Sequence, residues 1–336
     1  MGFRGTTLPS SSRFRQAIEA GELGGVVLFD RDQLTKSAGR NITSPSQLTA
    51  LTDALRSAAL TGRLGAGLII SVDQEGGVVA RLNPTDGYPA TESEAKLGTT
   101  NNIAHTTDAA TLMAITLAGA GIDLNLAPVV DLNVNPTNPA IGALGRSYSA
   151  DPAIVVAQAT AMIDAHHAAG IKCAIKHFPG EGSATGNTDY GVVDVSATWT
   201  TTELKPFRDL VAVGTPDIVM VGHIVNHQLD KDRPASLSKP TVSGLLRTDL
   251  GWIGPIISDD MQATAITARF GADEAIALAL EAGVDLLLFA NQQVYDGDIV
   301  AHAIATIEGL VTSGRITEAR IDDSISRIEG LFAPIE

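Results

Sequence analysis

Residues 255–261 of the chain read Pro255-Ile256-Ile257-Ser258-Asp259-Asp260-Met261. This stretch is a short apolar run that ends in two consecutive acids. A continuous run of aliphatic residues is typical of a strand that is covered on both faces, as strands are in a parallel sheet. Because side chains alternate along a strand, at most one of the two acids is expected to point into a cavity at the strand end, while its neighbour supports the loop.

Similar apolar runs recur along the chain and alternate with helical patterns. The strand candidates are Gly2–Gly5, Gly25–Phe29, Gly67–Val72, Asp123–Leu126, Lys172–Lys176, Asp217–Val221, Pro255–Ser258 and Val284–Phe289. The helical patterns are Ser46–Leu60, Asp151–Ala169, Thr202–Val213, Thr241–Leu250, Ala272–Ala282, Asp296–Thr312 and Thr317–Leu331. This alternation predicts an α/β fold, specifically a (β/α)8 TIM barrel. No Pro/Gly/Ser-rich linker or block of charge interrupts the series, so we expect residues 1–336 to form a single domain.

The composition excludes several classes of protein. Of the 336 residues, 44% are hydrophobic and 18% are charged, which excludes a disordered or fibrous chain. The net charge of −15 repels phosphate backbones and anionic lipids, so neither nucleic acid nor a membrane is an expected partner. A single cysteine, Cys173, excludes an internal disulfide and a cysteine-based zinc site. The longest apolar runs are far shorter than the roughly 20 residues that cross a bilayer.

Polar side chains follow the strand candidates at the point where each strand ends. These clusters are Asp73-Gln74-Glu75, Asp131-Leu132-Asn133, Lys176-His177, Gly222-His223, Asp259-Asp260 and Asn291-Gln292. Barrel enzymes gather their chemistry on the loops that follow the carboxyl ends of the strands. We therefore expect the six clusters to meet in one pocket, with His223 among the residues that bind the substrate.

Two motifs indicate what that pocket binds. Asp73 and Arg81 bracket a turn with paired glycines, and a carboxylate and a guanidinium that face one pocket are suited to binding sugar hydroxyls. Residues 176–191 form a Gly-rich polar loop directly after a strand, which is typical of a mobile lid that carries a catalytic group.

The motifs of other enzyme classes are missing from the sequence. The loop lacks the Gly-Lys-Ser/Thr ending of a P-loop, and His223 and His227 lack the intervening glutamate of a zinc protease. No G-x-S-x-G elbow of a serine hydrolase occurs. We therefore expect no metal and no cofactor, and chemistry on a small, neutral, polyhydroxylated carbohydrate. Glycoside hydrolysis needs only carboxyl groups and hydroxyl ligands.

The chain resembles glycoside hydrolase family 3, specifically its single-barrel β-N-acetylhexosaminidase branch. The resemblance covers nearly the whole chain and rests on several motifs. They are Gly2-Phe3-Arg4-Gly5, Gly24-Gly25-Val26-Val27-Leu28-Phe29, Asp73-Gln74-Glu75-Gly76-Gly77 with Arg81, Leu126-Ala127-Pro128-Val129-Val130-Asp131, Asn138-Pro139-Ala140-Ile141-Gly142 with Arg146-Ser147-Tyr148, Lys176-His177-Phe178-Pro179-Gly180 and Ile257-Ser258-Asp259-Asp260-Met261. The C-terminal sandwich domain of many family 3 β-glucosidases is not expected here.

The resemblance implies a retaining exo-glycosidase that removes terminal β-linked N-acetylglucosamine (GlcNAc) from peptidoglycan- or chitin-derived oligosaccharides. It makes Asp259 the nucleophile that forms a covalent glycosyl-enzyme. It also implies that a shared set of side chains holds the hydroxyls of the terminal sugar. That set is Asp73, Arg81, Arg146, Lys176 and His177.

The chain departs from the branch in the loop after Lys176. Relatives carry an Asp-x-His dyad there, with the histidine as acid/base, but this chain has Asn187-Thr188-Asp189, and Glu181 replaces a common histidine. Three outcomes are open: Asp189 is the acid/base, Glu181 is the acid/base, or the site has lost efficient acid catalysis and the chain is a weak enzyme or a sugar-binding barrel. Asp189 is the first choice. The departure also leaves a β-glucosidase or β-xylosidase open.

The sequence leaves the cellular location and the oligomeric state open. A role in recycling wall fragments places the protein in the cytoplasm, whereas a trimmed secreted enzyme or lipoprotein has the same sequence from Met1 onward. We expect a cytoplasmic protein.

Overall fold

The structure is a computed structural model that describes residues 1–61 and 67–331. The strands are β1 Gly25–Leu28, β2 Ile69–Val72, β3 Gln74–Gly76, β4 Val79–Ala80, β5 Leu124–Asn125, β6 Lys172–Phe178, β7 Ile218–Val221, β8 Ile256–Asp260 and β9 Leu286–Leu288. The α-helices are α1 Arg13–Ala20, α2 Pro45–Thr61, α3 Glu94–Thr100, α4 Ile103–Gly119, α5 Pro152–Ala168, α6 Lys205–Ala212, α7 Thr264–Thr267, α8 Ala272–Ala282, α9 Ile299–Thr312 and α10 Glu318–Leu331. A π-helix covers Pro240–Asp249.

Seven strands form one parallel sheet in the order β1-β2-β5-β6-β7-β8-β9. Neighbours in the sheet follow chain order, with registers such as Gly25 opposite Ile69 and Val219 opposite Ile256. The two remaining short strands, β3 and β4, form an antiparallel hairpin directly after β2. Because all seven strands run the same way, their carboxyl ends and the polar clusters that follow them lie at one edge of the sheet.

The sheet is curled around an apolar interior. One hydrophobic cluster takes side chains from all seven strands or the residues next to them: Val27, Phe29, Ile69, Leu124, Leu126, Ala174, Ile218, Met220, Ile257, Leu288 and Ala290. Side chains of the opposite parity, such as Ile70 and Val219, pack outward into two larger clusters shared with the helices. This alternation is what a sheet covered on both faces requires, and it confirms the α/β fold with a curled parallel sheet.

The first strand candidate, Gly2–Gly5, differs from the prediction. Gly2 forms a single parallel bridge to Val27, and its N–H donates a 2.8 Å hydrogen bond to the carbonyl of Phe289. A Cβ at Gly2 would lie only 2.1 Å from the carbonyl oxygen of Ala290, so glycine is needed for this close approach. Gly5, at φ 132°, then turns the chain away. The parallel sheet therefore has seven strands in the described residues. Gly2 contacts both edges of this sheet, at β1 and just after β9.

The helical predictions were confirmed in part. Helices α2, α5, α8, α9 and α10 lie where the periodicity placed them. The pattern at Thr241–Leu250 is a π-helix, and the pattern at Thr202–Val213 starts as a 3-10 turn, Thr201–Leu204. Helix α4 was missed because its exposed face carries apolar side chains such as Leu112 and Ile115, which blur the helical periodicity. None of the helices described here combines the length and the apolar character needed to span a membrane.

Candidate active site

A cavity of about 370 Å³ opens at the carboxyl ends of the strands. It is lined by eight of the nine residues that the sequence analysis assigned to catalysis or substrate binding: Asp73, Arg81, Arg146, Lys176, His177, Glu181, Asp189 and Asp259. They come from six segments separated by up to 186 residues of chain. Of the six polar clusters expected to meet in one pocket, four contribute to the lining, whereas Asp131-Leu132-Asn133 and Gly222-His223 do not.

The deepest part of the cavity is an ion-pair network between the β2 and β6 strand ends. Lys176 Nζ lies 2.8 Å from Asp73 Oδ1 and 2.6 Å from Glu75 Oε1. Arg146 binds Glu75 through two hydrogen bonds of 2.7 and 2.8 Å. Burial opposes ionisation of Glu75, but the charges of Arg146 and Lys176 outweigh it and hold the pKa of Glu75 well below its usual value. Glu75 therefore serves as a fixed anion that positions both cations.

Arg81 lies at the side of the same cavity with hydrogen-bonding capacity to spare. Its Nη1 is 3.6 Å from Asp30 Oδ1 and its Nη2 is 3.9 Å from Asp73 Oδ2, both longer than a good hydrogen bond. Its Nε is buried and has no hydrogen-bond partner among residues 1–61 and 67–331. Hydroxyl groups of a bound sugar can fill these contacts, because a guanidinium offers five donors in a fixed plane.

Asp131 organises the turn that follows β6. One carboxylate oxygen accepts hydrogen bonds from the backbone N–H of His177 at 3.1 Å and from its Nδ1 at 2.7 Å, and the other accepts the N–H of Glu181 at 2.9 Å. Burial opposes protonation of His177, but Glu181 and Asp131 outweigh it and raise its pKa. Asp131 follows β5 and belongs to a polar cluster that was expected in the pocket, but no catalytic or binding role was predicted for it.

Among the described residues, one group has the spacing of metal ligands: Asp131, His177 and Glu181. Their potential ligand atoms lie within 4.8 Å of one another, and all three side chains are buried. His177 Nδ1 already bonds to Asp131 and lies 3.4 Å from Glu181 Oε1, so hydrogen bonds and ion pairing account for the cluster as it stands. That the protein needs no metal and no cofactor stays a prediction.

Asp259 and Asp260 end strand β8 and differ in their surroundings. Burial disfavours ionised Asp259, but the nearby charge of His177 and the N–H of Asp260, at 2.8 Å, outweigh it and lower the pKa of Asp259. Asp260 is more deeply buried, and its Oδ1 accepts the N–H groups of Gln262 and Ala290 at 3.1 and 2.9 Å. Burial raises the pKa of Asp260 to about 7. Asp259 is the ionised acid, and Asp260 supports the loop.

The loop that carries Asp189 is anchored to the segment after β8. Asn187 Oδ1 accepts the N–H of Asp189 at 2.8 Å, and the N–H groups of Thr264 and Ala265 donate to the carbonyls of Asp189 and Thr188 at 3.1 and 3.0 Å. Burial and the charge of Asp259 raise the pKa of Asp189 to about 6. These bonds fix Asp189 at the cavity wall, so the loop is tied down at the position expected to carry a lid group.

The comparison with known proteins assigns the family. The sequence profile of the glycosyl hydrolase family 3 N terminal domain matches residues 7–331. The chain belongs to glycosyl hydrolase family 3. A Beta-hexosaminidase from Tolumonas auensis is 36% identical over 303 residues, which cover 88% of this chain and 82% of that protein.

Solved structures of family 3 proteins share the fold. A glycoside hydrolase family 3 beta-N-acetylglucosaminidase from Paenibacillus sp. str. FPU-7 superposes with a TM-score of 0.87 and 32% identity, covering 98% of this chain and 60% of that one. The Beta-N-acetylhexosaminidase from Beutenbergia cavernae superposes with a TM-score of 0.85 and 30% identity, covering 98% and 94% of the two chains. The family 3 resemblance inferred from the motifs is therefore confirmed.

His223 corrects one sequence-based assignment in this family 3 chain. It was expected to bind the substrate, but it is fully buried and does not line the cavity. Its Nδ1 lies 2.7 Å from Ser236 Oγ and its Nε2 lies 2.9 Å from the carbonyl oxygen of Asp260. Both ring nitrogens are thus occupied, and the residue positions the turn that holds Asp259 and Asp260. Strand parity could have signalled this, because His223 has the parity of Val219 and Val221, which pack outward, and not that of Met220 in the interior of the curled sheet.

The chemistry available to this family 3 site follows from carboxyl groups with opposite pKa shifts. The pKa of Asp259 is lowered, whereas the pKa of Asp189 is raised to about 6 and burial raises that of Glu181 to about 7. One cavity therefore holds a carboxylate whose ionised form is stabilised and two carboxyl groups whose pKa values are raised towards neutral pH. Two carboxyl groups with opposite pKa shifts are what a retaining glycosidase uses as nucleophile and acid.

Proposed function

We propose that this family 3 protein is an exo-acting retaining glycosidase that removes terminal β-linked GlcNAc from oligosaccharides. The observation that carries the proposal is the single cavity lined by both Asp259, whose pKa is lowered, and Asp189, whose pKa is raised to about 6. The names of its relatives, Beta-hexosaminidase and beta-N-acetylglucosaminidase, support the choice of sugar.

The reaction proceeds in two steps. Asp259 Oδ attacks C1 of the terminal sugar as Asp189 gives its proton to the departing glycosidic oxygen, so a glycosyl ester forms and the aglycone leaves as an alcohol. Asp189, now ionised, takes a proton from water, whose oxygen attacks C1 and releases Asp259. Free sugar with retained β configuration leaves, and both carboxyl groups return to their starting states.

The binding groups take the sugar hydroxyls at the depth of the cavity. Asp73 accepts from hydroxyls, while Lys176 and Arg81 donate to them, and Glu75 keeps Lys176 and Arg146 in place. The nearby charge of His177 favours the ionised form of Asp259. The contacts fix C1 against Asp259.

We place the acid/base role on Asp189 rather than Glu181. Glu181 lies 3.4 Å from His177 Nδ1 and its backbone is bound by Asp131, so it is committed to the His177 cluster. The carboxyl group of Asp189 has no protein hydrogen-bond partner among the described residues and lies in the cavity wall. It is therefore available to the leaving-group oxygen.

We further propose that the curled sheet closes into the (β/α)8 barrel. Gly2 supports this closure, because it forms a bridge to Val27 of β1 and donates a hydrogen bond to the carbonyl of Phe289, just after β9. Removing residues 1–5 is expected to lower the free energy of unfolding measured in urea.

The nucleophile assignment is tested by Asp259→Asn. The variant is expected to lose at least 1,000-fold of its kcat/KM on nitrophenyl β-N-acetylglucosaminide, on the order of the loss of a catalytic nucleophile. A 2-deoxy-2-fluoro or 5-fluoro glycosyl donor should label Asp259 in the wild type, seen by peptide mass spectrometry. Asp322→Asn, on the exposed face of α10, is the matched control. Full activity of Asp259→Asn would contradict the proposal.

A second function is favoured by one specific observation, the lack of a histidine at position 189. In this alternative, the chain is a sugar-binding barrel that keeps Asp73, Arg81 and Lys176 but turns over slowly or not at all. Calorimetric binding of GlcNAc with no labelling of Asp259 would establish it, and labelling would eliminate it. A panel of nitrophenyl glycosides tests β-glucosidase and β-xylosidase activity in the same preparation.

A further inference from the structure

The mouth of the cavity has a different chemical character from its depth. Val78, Leu144 and Tyr190 line the cavity and are 66%, 40% and 69% exposed, whereas Glu75 and Lys176 are only 1% and 2% exposed. In an exo-acting enzyme the terminal sugar occupies the deep part, so the aglycone leaves through this apolar and aromatic mouth. An exposed apolar patch beside a cavity marks a binding surface.

The charged groups of the cavity are arranged unfavourably for an anionic aglycone. Six carboxyl groups line it, those of Asp73, Glu75, Glu181, Asp189, Asp259 and Asp260, against three lysine or arginine side chains. Each of the three cations faces a carboxylate of the protein: Lys176 faces Asp73 and Glu75, Arg146 binds Glu75, and Arg81 lies between Asp30 and Asp73. Among the described lining residues, no cation lies at the mouth to pair with a carboxylate of the ligand.

Tyr190 lines the cavity next to Asp189, the proposed acid/base. It follows Asp189 directly in the chain, and its N–H donates to the carbonyl of Asn187 at 3.1 Å in the turn that Thr264 and Ala265 anchor. The acid/base must reach the oxygen between the terminal sugar and the aglycone, so the adjacent ring borders the aglycone. Aromatic rings present a flat apolar face that packs against the C–H face of a pyranose.

We propose that the aglycone subsite takes a neutral pyranose, a second GlcNAc, against Tyr190, and selects against an aglycone with a carboxylate, such as the lactyl group of muramic acid. This inference rests on the proposed function. Chitin-derived and peptidoglycan-derived oligosaccharides share the terminal GlcNAc, so only the aglycone distinguishes them. The preferred substrate is a chitin-type disaccharide, and the wall-type disaccharide is disfavoured by the carboxyl-rich lining.

The test compares two disaccharides with the same terminal sugar and linkage, GlcNAc-β-1,4-GlcNAc and GlcNAc-β-1,4-muramic acid in its N-acetylated form. We expect kcat/KM to favour the neutral disaccharide by about tenfold or more at pH 7, the effect of one unfavourable charge contact. The methyl ester of the muramic acid substrate should recover most of the difference, because it keeps the size of the lactyl group and removes its charge. Equal rates on the free acid and the neutral disaccharide would overturn the proposal.

Three variants assign the preference to named residues. Tyr190→Ala should raise KM for the neutral disaccharide roughly fivefold, whereas Tyr190→Phe should retain the wild-type value, since the flat ring remains. Tyr190→Lys adds a cation at the mouth. It should reduce the ratio of kcat/KM for the neutral disaccharide to kcat/KM for the muramic acid disaccharide. Inhibition by free GlcNAc, measured in each variant, reports that the deep subsite is intact. An unchanged KM in Tyr190→Ala with intact inhibition contradicts the placement of the ring.

Lys36 provides a control outside the lining. Its Nζ lies 3.4 Å from Oε1 of Gln33, which does line the cavity. Lys36→Ala should leave the preference for the neutral disaccharide unchanged, and loss of that preference in Lys36→Ala would overturn its assignment to the cavity lining. Failure of the proposed function is distinguishable, because a protein that hydrolyses neither nitrophenyl β-N-acetylglucosaminide nor either disaccharide is not a glycosidase of this kind.

Discussion

Asp189 and Glu181 show how two carboxyl groups in one cavity come to differ. Burial raises the pKa of both, to about 6 and about 7, but their partners are different. Glu181 belongs to a cluster with His177 and Asp131, whereas Asp189 is held only through its backbone and the Asn187 side chain. The amide at position 187 thus has a clear role, since it fixes the turn that presents the acid at position 189.

The acid/base assignment is tested by Asp189→Asn against Glu181→Gln. Asp189→Asn should lower kcat about 10²–10⁴-fold on the disaccharide, because the leaving oxygen then receives no proton, and much less on a nitrophenyl substrate, whose leaving group needs none. Azide should restore activity on the nitrophenyl substrate. Steady-state kinetics on both substrates measure the effect.

The pH profile provides the control for this prediction. The acid must be protonated, so kcat/KM should fall as the pH rises through about 6, the raised pKa of Asp189. Glu181→Gln should retain this fall in kcat/KM. The acid/base would instead be Glu181 under two conditions. The fall in kcat/KM would lie near pH 7 in the wild type and disappear in Glu181→Gln, and Asp189→Asn would retain activity on both substrates.

At the scale of elements, the C-terminal helix α10 is held to the sheet by one buried carboxylate. Asp285, just before β9, pairs with Arg247 of the π-helix and lies 3.1 Å from Arg327 Nη1 and 3.5 Å from Arg320 Nη1. Ser324 Oγ donates to it at 2.5 Å. One side chain therefore connects three elements where α10 covers the amino-terminal end of the curled sheet.

Asp285→Ala should reduce the free energy of unfolding by about 3–5 kcal/mol, because it leaves several guanidinium groups without their shared partner. Urea unfolding followed by circular dichroism measures the change. Asp298→Ala is the control, since its pair with Arg13 is 74% and 83% exposed and should contribute little. A loss for Asp285→Ala no larger than that of the control would show that apolar packing alone holds α10.

At the scale of the whole molecule, several buried carboxyl groups make stability depend on pH. Burial raises the pKa of Glu203 and of Asp260 to about 7, while both groups titrate near 4 in the unfolded chain. A raised pKa in the folded state gives stability that is fully present below the unfolded pKa and is lost as the pH rises through the folded pKa. The raised pKa of His177 acts in the same direction.

The melting temperature should therefore be lower at pH 8.5 than at pH 6, because in this window the folded state holds protons that the unfolded chain has lost. Differential scanning calorimetry across this range measures the slope. Glu203→Gln, outside the cavity lining, should flatten it, since the amide has no proton to lose. A melting temperature that rises from pH 6 to pH 8.5 would contradict the assignment of these shifts.

The fold class followed from local patterns, and so did most of the candidate site. Apolar runs such as the one before Asp259 identify strands without any long-range information, and the order of strands and helices then restricts the sheet to a parallel one. The single-domain organisation stays a prediction. The π-helix at Pro240–Asp249 and the single bridge at Gly2 were not predictable, because both depend on contacts with distant segments.

The amino-acid sequence by itself determined the parallel strands, the polar residues at their ends and the family, because periodicity and motifs are local properties of the chain. Only the tertiary structure decided which of those residues share the cavity and in what role. It paired Lys176 with Asp73, 103 residues away, turned His223 into the interior and brought the Asp189 loop against Thr264. Such choices depend on burial and on partners from other strands, and these exist only once the sheet has curled and the cavity has formed.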